Sequence, residues 1–204
     1  MCHASPAQMS RGCRRMKVLV GCEFSGIVRD AFLMAGHEAV SCDLLPTESP
    51  GPHIQGNILD HLDDGWDLGI FHPPCTYLSN SGVRWLHSDP KRWELMADAA
   101  HFFNTILSAN IPSICVENPI QHKYARALIP LYQQIIHPWQ YGHPESKTTC
   151  LWLKNLHPLV TTRIMEEREQ RLWKLPPSLT RWKKRSVTYA GIAQAMAEQW
   201  SKYA

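Results

Sequence analysis

Lys17-Val18-Leu19-Val20-Gly21, followed directly by Cys22-Glu23-Phe24-Ser25-Gly26, is the stretch on which the fold turns. The first five residues form an aliphatic, β-branched run that closes on glycine, the pattern of a short buried strand. The turn is mostly small or polar, and from Ile27 to Met34 the apolar residues recur at helical spacing, with Gly36 as a stop signal. Strand, tight turn and helix in this order predict the first βα unit of a parallel sheet. Glycine at the turn allows a ligand to approach the backbone closely. The spacing is not G-x-G-x-x-G, so the dinucleotide fingerprint is absent.

The same alternation continues along the chain. Residues 38–42 read as a second strand ending at Asp43, and the Pro- and Gly-containing stretch to Pro52 as loop. Residues 67–71 form an apolar strand that runs into His72-Pro73-Pro74-Cys75. A helix is predicted over 90–109, with Trp93, Met96, Ala100, Phe103 and Leu107 on one face. Residues 111–116 form a strand that delivers Glu117-Asn118-Pro119. A short helix is predicted over 123–128, strands over 133–136 and 150–153, and a terminal helix with Tyr189, Ile192, Ala193, Met196 and Trp200 on one stripe. Alternating strands and helices imply a mostly parallel sheet covered on both faces, a three-layer α/β/α arrangement. Ligands bind such sheets beyond the carboxyl ends of the strands. Cys22–Gly26, Asp43, Pro73–Cys75 and Glu117–Pro119 all fall there, a placement that suggests an enzyme.

The 204 residues fit one domain, and a content of 44% hydrophobic and 19% charged residues is that of an ordinary globular protein. No run is long and apolar enough for a membrane helix. Residues 1–15 are polar and basic without an apolar core, so they read as a disordered extension rather than a secretion signal. An odd count of seven cysteines without C-x-x-C suits a reducing compartment. Cys2, His3 and Cys13 are too irregularly spaced for a metal site, and no metal is expected. The net charge is only +3, but Arg163, Arg168, Arg171, Lys174, Arg181, Lys183, Lys184 and Arg185 crowd one late stretch. Such a run suits either a solvated face or a polyanion partner.

Three constellations carry candidate chemistry. Asp43 is either an exposed strand-end carboxylate or an acceptor for ribose hydroxyls. Pro73-Pro74-Cys75-Thr76-Tyr77-Leu78-Ser79-Asn80-Ser81-Gly82 places a cysteine on a loop with a rigid start and a polar continuation. Cys75 follows its strand, which favours a nucleophile over a buried apolar cysteine, provided the thiolate form is favoured. Glu117 is either a salt-bridge partner or a proton donor with a raised pKa. His72, just before the nucleophile loop, is the histidine best placed for function, although a structural role is the commoner one. Trp152, Trp173 and Trp182, in or near the basic stretch, suit core packing or stacking on single-stranded bases.

In the order of these elements the chain resembles the DNA cytosine-5 methyltransferases. The matching residues are Phe24-Ser25-Gly26 through Arg29, Asp43, Pro74-Cys75, Glu117-Asn118, Tyr141-Gly142-His143-Pro144 and, more loosely, residues 186–193. The resemblance spans residues 16–200 and is strongest to small phage-encoded members. It implies a Rossmann-like fold and S-adenosylmethionine as cofactor. It further implies residence in a bacterial cytoplasm and encoding by a phage or prophage. One catalytic domain over 16–204 would carry a short basic insert at 154–185.

The roles that the resemblance implies are these. Cys75 would attack carbon 6 of cytosine, Glu117 would bind or protonate ring nitrogen 3, and Lys147 would stand for a catalytic arginine. Cys22, Glu23, Phe24, Ser25, Gly26 and Pro73 would line the cofactor, with Asp43 on its ribose and Asn57 and Ile58 beside its adenine. Ser186 and Thr188 would close that pocket. Pro74, Ser79, Asn118, Arg181, Lys183 and Lys184 would contact the substrate, which is duplex or single-stranded DNA or a cytosine nucleotide.

The chain departs from the family in three places. Thr76 follows Cys75 where the family usually has glutamine, Thr149 takes the position of a second arginine, and the 154–185 segment stands where a large target-recognition region is usual. Low sequence selectivity follows, because so short a segment has little room to read base edges. Two alternatives remain open: modification of a free or single-stranded pyrimidine nucleotide, and a non-catalytic DNA- or cofactor-binding protein acting against restriction. Transfer to an exocyclic nitrogen is disfavoured, since those enzymes usually carry an aromatic residue where Cys75 stands.

Overall fold

A computed structural model describes residues 14–179 and 181–201. Most of the extension read as disordered, with Cys2, His3 and Cys13, lies outside the described residues. Seven strands form one sheet: β1 (Lys17–Gly21), β2 (Glu38–Asp43), β3 (His53–Gln55), β4 (Leu68–Phe71), β5 (Ser113–Asn118), β6 (Gln134–Ile136) and β7 (Thr149–Lys154). Their spatial order is β3-β2-β1-β4-β5-β7-β6. The first five run parallel, and β7 is antiparallel to both β5 and β6.

Helices α1 (Ile27–Met34) and α5 (Ala190–Trp200) cover one face and α2 (Lys91–Leu107) covers the other, with short α3 (Arg171–Lys174) and α4 (Arg181–Ser186) between β7 and α5 in the chain. This is the three-layer, Rossmann-like α/β/α arrangement that the sequence predicts. Central strand β4 is buried at every residue, as expected for a parallel strand covered on both faces. Phe32, Met196 and Trp200 belong to the α1–α5 core, while Phe103, Ile106 and Trp152 belong to the α2 core. Among the described residues, no helix is long and apolar enough to cross a membrane.

Four local expectations differ from the structure. Glu117 and Asn118 lie within β5, not after it, because antiparallel β7 extends the ladder and pairs Glu117 with Leu151 and Asn118 with Cys150. The stretch after Asp43 returns to the sheet as three-residue edge strand β3, too short to show a period. The helix predicted over 123–128 is a single 3-10 turn at Ala125–Ala127. Trp93, predicted on the core face of α2, is 37% exposed.

Candidate active site

The turn between β1 and α1 is built by two left-handed residues, Cys22 at φ 57° and Gly26 at φ 76°. A non-glycine residue in that region stores roughly 1–3 kcal/mol of strain, a feature that clusters at functional sites. Gly21 is required by close approach: a Cβ there would come within 2.4 Å of the Phe71 ring. Glu23, predicted to line a cofactor, is buried with its carboxylate turned onto the start of α1. It accepts from the backbone N–H of Val28 at 2.7 Å and of Arg29 at 3.5 Å, and from the Ser25 hydroxyl at 3.1 Å. The helix N-terminus, elsewhere a phosphate site, is thus occupied by the chain's own anion.

Asp43 ends β2 half-buried. Its Oδ1 accepts from Leu45 N–H at 2.9 Å, and Oδ2 has no donor among the described residues. Burial first, and then the Asp43 charge, push the Cys22 thiol up to about 12, so Cys22 stays protonated. Asn57 is exposed and caps a 3-10 turn by accepting from Leu59 N–H at 3.2 Å. Ile58 does not border an open pocket with its side chain, which is buried in the core beneath Gly21.

Arg29 is fully buried and binds the loop after β2, donating to Ser41 Oγ at 3.1 Å and to the carbonyls of Ser49 and Pro50 at 3.0 and 3.3 Å. It therefore holds the wall of this corner from behind.

The Pro73–Gly82 loop that carries Cys75 starts beside the same turn, because His72 N–H donates to the Gly21 carbonyl at 3.0 Å. Pro73 is buried and its carbonyl accepts from Asn118 Nδ2 at 2.8 Å, which ties the loop to β5. Pro74 is exposed, and Cys75 is half-buried. The Cys75 carbonyl accepts from the N–H groups of Leu78 and Ser79 at 3.1 and 2.9 Å, closing a tight turn.

Glu117 reaches the same point from β5, with Oε2 3.5 Å from His72 Nδ1. Burial alone would raise its pKa. Lys147, hydrogen bonds from His72 and Thr149, and the His72 charge outweigh that, so the carboxyl is held below its usual range. This corrects the expectation of a proton donor with a raised pKa: Glu117 is an ionised acceptor. Cys75 is displaced in the opposite direction. Burial and the Glu117 charge raise its thiol, only partly offset by Lys147, a hydrogen bond with Ser79 and Arg185. The free chain therefore holds Cys75 as a thiol rather than the activated thiolate that a nucleophile requires.

Cys75, Glu117, Lys147, Ser79 and Asn118 thus meet at one edge of the sheet. His72, Thr149 and Arg185 join them. His72 adjoins the loop in sequence and Thr149 stands where the resemblance puts a second arginine, whereas only folding brings Arg185 to the site. Thr149, the first residue of β7, hydrogen-bonds the Glu117 carboxylate, and the Arg185 carbonyl accepts from Lys147 Nζ at 3.1 Å.

The basic segment does not form a separate lobe. Backbone bridges pair Tyr141 with Arg163 and Glu145 with Glu169. Its helix α4 (Arg181–Ser186) packs on the turn between β1 and α1, with Trp182 edge-on to Phe24 at 5.9 Å and Lys183 Nζ 3.0 Å from Glu48. Ser186 is exposed with its hydroxyl on the Lys183 carbonyl, Thr188 is buried, and Lys184 is exposed. Trp152 is fully buried and donates to the Pro130 carbonyl, so it has no face to offer a base.

Neither a protein-family model nor a curated protein sequence matches the chain. Solved structures resemble it in fold. An E. coli prophage-encoded protein assigned as a DNA modification methyltransferase is 16% identical with a TM-score of 0.42, over 71% of this chain and 53% of that one. The S. pombe Dnmt2 methyltransferase is 18% identical with a TM-score of 0.46, over 71% and 51%. WbdD, crystallised with a kinase inhibitor, is 11% identical with a TM-score of 0.41, over 72% and 38%. The chain spans about half the length of the first two.

Proposed function

We propose that this chain is an S-adenosylmethionine-dependent methyltransferase acting on carbon 5 of cytosine in DNA through a transient Cys75 adduct. One observation carries the reading: Cys75 and Glu117 converge from the carboxyl ends of neighbouring strands β4 and β5, with Lys147 coupled to both. A nucleophile and an acceptor so placed can engage opposite sides of one pyrimidine ring.

The cofactor-side corner fits a nucleoside without phosphate. Glu23 occupies the α1 N-terminus where a pyrophosphate would sit, and Asp43 keeps Oδ2 for ribose hydroxyls. Cys22, Phe24, Ser25 and Gly26 would surround the remainder. S-adenosylmethionine, when bound, would supply an electrophilic methyl group.

The protein side of the reaction follows from the residues. Cys75 loses its proton to water and its sulfur bonds to carbon 6, which makes carbon 5 nucleophilic. Glu117, already ionised, accepts from the exocyclic amino group, and His72 beside it would supply a proton to ring nitrogen 3. After carbon 5 is methylated, its proton leaves to water, the sulfur–carbon bond breaks, ring nitrogen 3 gives its proton back to His72 and Cys75 is restored. A target in a duplex must first leave the stack, at a cost of a few kcal/mol.

A second reading, action on a single-stranded or free pyrimidine nucleotide, is favoured by the packing of α4 on Phe24 and Glu48, which leaves 154–185 poorly disposed to grip a duplex.

The test is an oligonucleotide carrying 5-fluorocytosine, incubated with the chain and S-adenosylmethionine and resolved on a denaturing gel. A covalent band that disappears in Cys75→Ala is expected. Absence of the band from duplex, single-stranded and nucleotide substrates overturns the reading and leaves a binding protein.

A further inference from the structure

The densest basic run is partly committed within the fold, whereas a second aromatic and cationic surface lies open beside the nucleophile. It begins at Gly82, whose missing Cβ would lie 2.6 Å from the carbonyl of Thr76, the residue after Cys75. The 3-10 segment Asn80–Leu86 is therefore seated directly on the nucleophile loop. Its position is fixed from the β5 side, where Asn80 N–H donates to Ile120 O at 3.2 Å and His122 N–H to Leu78 O at 3.1 Å.

Trp85 on this segment is 48% exposed, with the Arg84 guanidinium 4.6 Å from its ring centroid. In the first turn of α2, Arg92 lies 4.9 Å over the Tyr77 ring, and its Nε is buried without a hydrogen-bond partner. Lys123 sits 4.8 Å over Tyr124, whose ring meets Trp93 at 4.9 Å. Arg84, Arg92 and Lys123 form no salt bridge among the described residues. The neighbouring Asp89 accepts from Lys91 N–H at 3.2 Å, and Glu94 is the acidic residue in the first turn of α2.

Cations without an ion-pair partner among the described residues, grouped around the exposed Trp85 ring, match a nucleic-acid strand. Phosphates answer the charges, and unpaired bases answer the rings, since every base has a π face. A duplex presents the charges but hides its base faces in the stack.

We propose that this surface binds single-stranded DNA flanking the target base, with Trp85 stacking on a base and Arg84, Arg92 and Lys123 facing phosphates. The inference rests on the methyltransferase reading only in taking Cys75 as the place of the target.

The test is fluorescence anisotropy of a labelled oligothymidylate with the full chain. This probe contains no cytosine, so its binding is separate from ring attack, which the trapping experiment reports. Wild type and Cys75→Ala are expected to bind alike. Trp85→Ala should weaken binding at least about fivefold, as loss of a base stack does. Arg84→Gln with Lys123→Gln should lower the slope of log affinity against log salt by about 0.7 per lost phosphate contact. Circular dichroism melting shows whether each variant is folded. A folded Trp85→Ala that binds like wild type overturns the proposal, and so does a duplex of equal length binding more tightly than the single strand.

Discussion

His72 and Glu117 face each other across the seam between β4 and β5, with Nδ1 3.5 Å from Oε2 and only 7% and 13% of their side chains exposed. The second ring nitrogen of His72, Nε2, is buried and has no hydrogen-bond partner among the described residues. This pairing supplies what Glu117 lacks as an ionised group, a proton that can move toward the substrate. His72→Ala is expected to slow methyl transfer about 10²- to 10⁴-fold, the range for loss of general acid–base help. Isothermal titration should show cofactor affinity unchanged, because the proposed function places His72 on the base rather than on the cofactor.

The raised Cys75 thiol sets a pH dependence with a definite sign. Deprotonation gains the nucleophile, so alkylation by iodoacetamide should climb from about pH 7 to about pH 9 without a plateau, as for a thiol above its ordinary range. Glu117→Gln removes a charge that raises the thiol and should speed alkylation while abolishing transfer. Lys147→Met removes a charge that lowers it and should slow both. Opposite responses in the two variants, read by mass spectrometry, distinguish this coupling from general loosening.

Glu117 has the converse linkage. Its lowered pKa contributes stability above the ordinary carboxylate range that is lost as pH falls through its folded value. In acid melts, Glu117→Gln should lose less stability between about pH 6 and about pH 3 than wild type does.

Gly191 lies against the Tyr141-Gly142-His143 segment so closely that a Cβ would fall 1.9 Å from the Tyr141 carbonyl oxygen, and its N–H donates to His143 Nε2 at 2.9 Å. Gly191→Ala should cost about 1–3 kcal/mol by overpacking, measured by urea denaturation.

Arg29 spans α1 and the loop after β2 with no exposed surface. Arg29→Ala should cost about 3–5 kcal/mol, the loss expected on breaking a buried charged network. Lys183→Ala, which removes a surface pair with Glu48, should cost no more than about 1 kcal/mol. Thermal melts of the two variants compare these effects directly.

Sequence patterns carried the sheet well where a local period exists. Val18, Leu19 and Val20 are fully buried in β1, and the stripe Ile192, Ala193, Met196 and Trp200 packs inward from α5 as its spacing predicts. The expectation failed where partners are distant. Glu117 and Asn118 read as loop before a proline, yet β7 arrives antiparallel and keeps them in the ladder. Trp93 fits the helical stripe, but Tyr124 and His87 meet it outside the core.

The order of the strand-end clusters, Cys22–Gly26, Asp43 and Pro73–Cys75, was legible in the sequence by itself, because parallel strands separated by crossovers bring their carboxyl ends to one edge. The partners of those residues were decided only in three dimensions. Glu23 turns away onto the start of α1, Thr149 bonds the Glu117 carboxylate, Arg185 comes beside Cys75 and takes Lys147 on its carbonyl, and α4 closes on Phe24. Charge and hydrogen bonding have no period along a chain. A lysine or threonine remains compatible with many neighbours until the docking of β7 and α4 selects one.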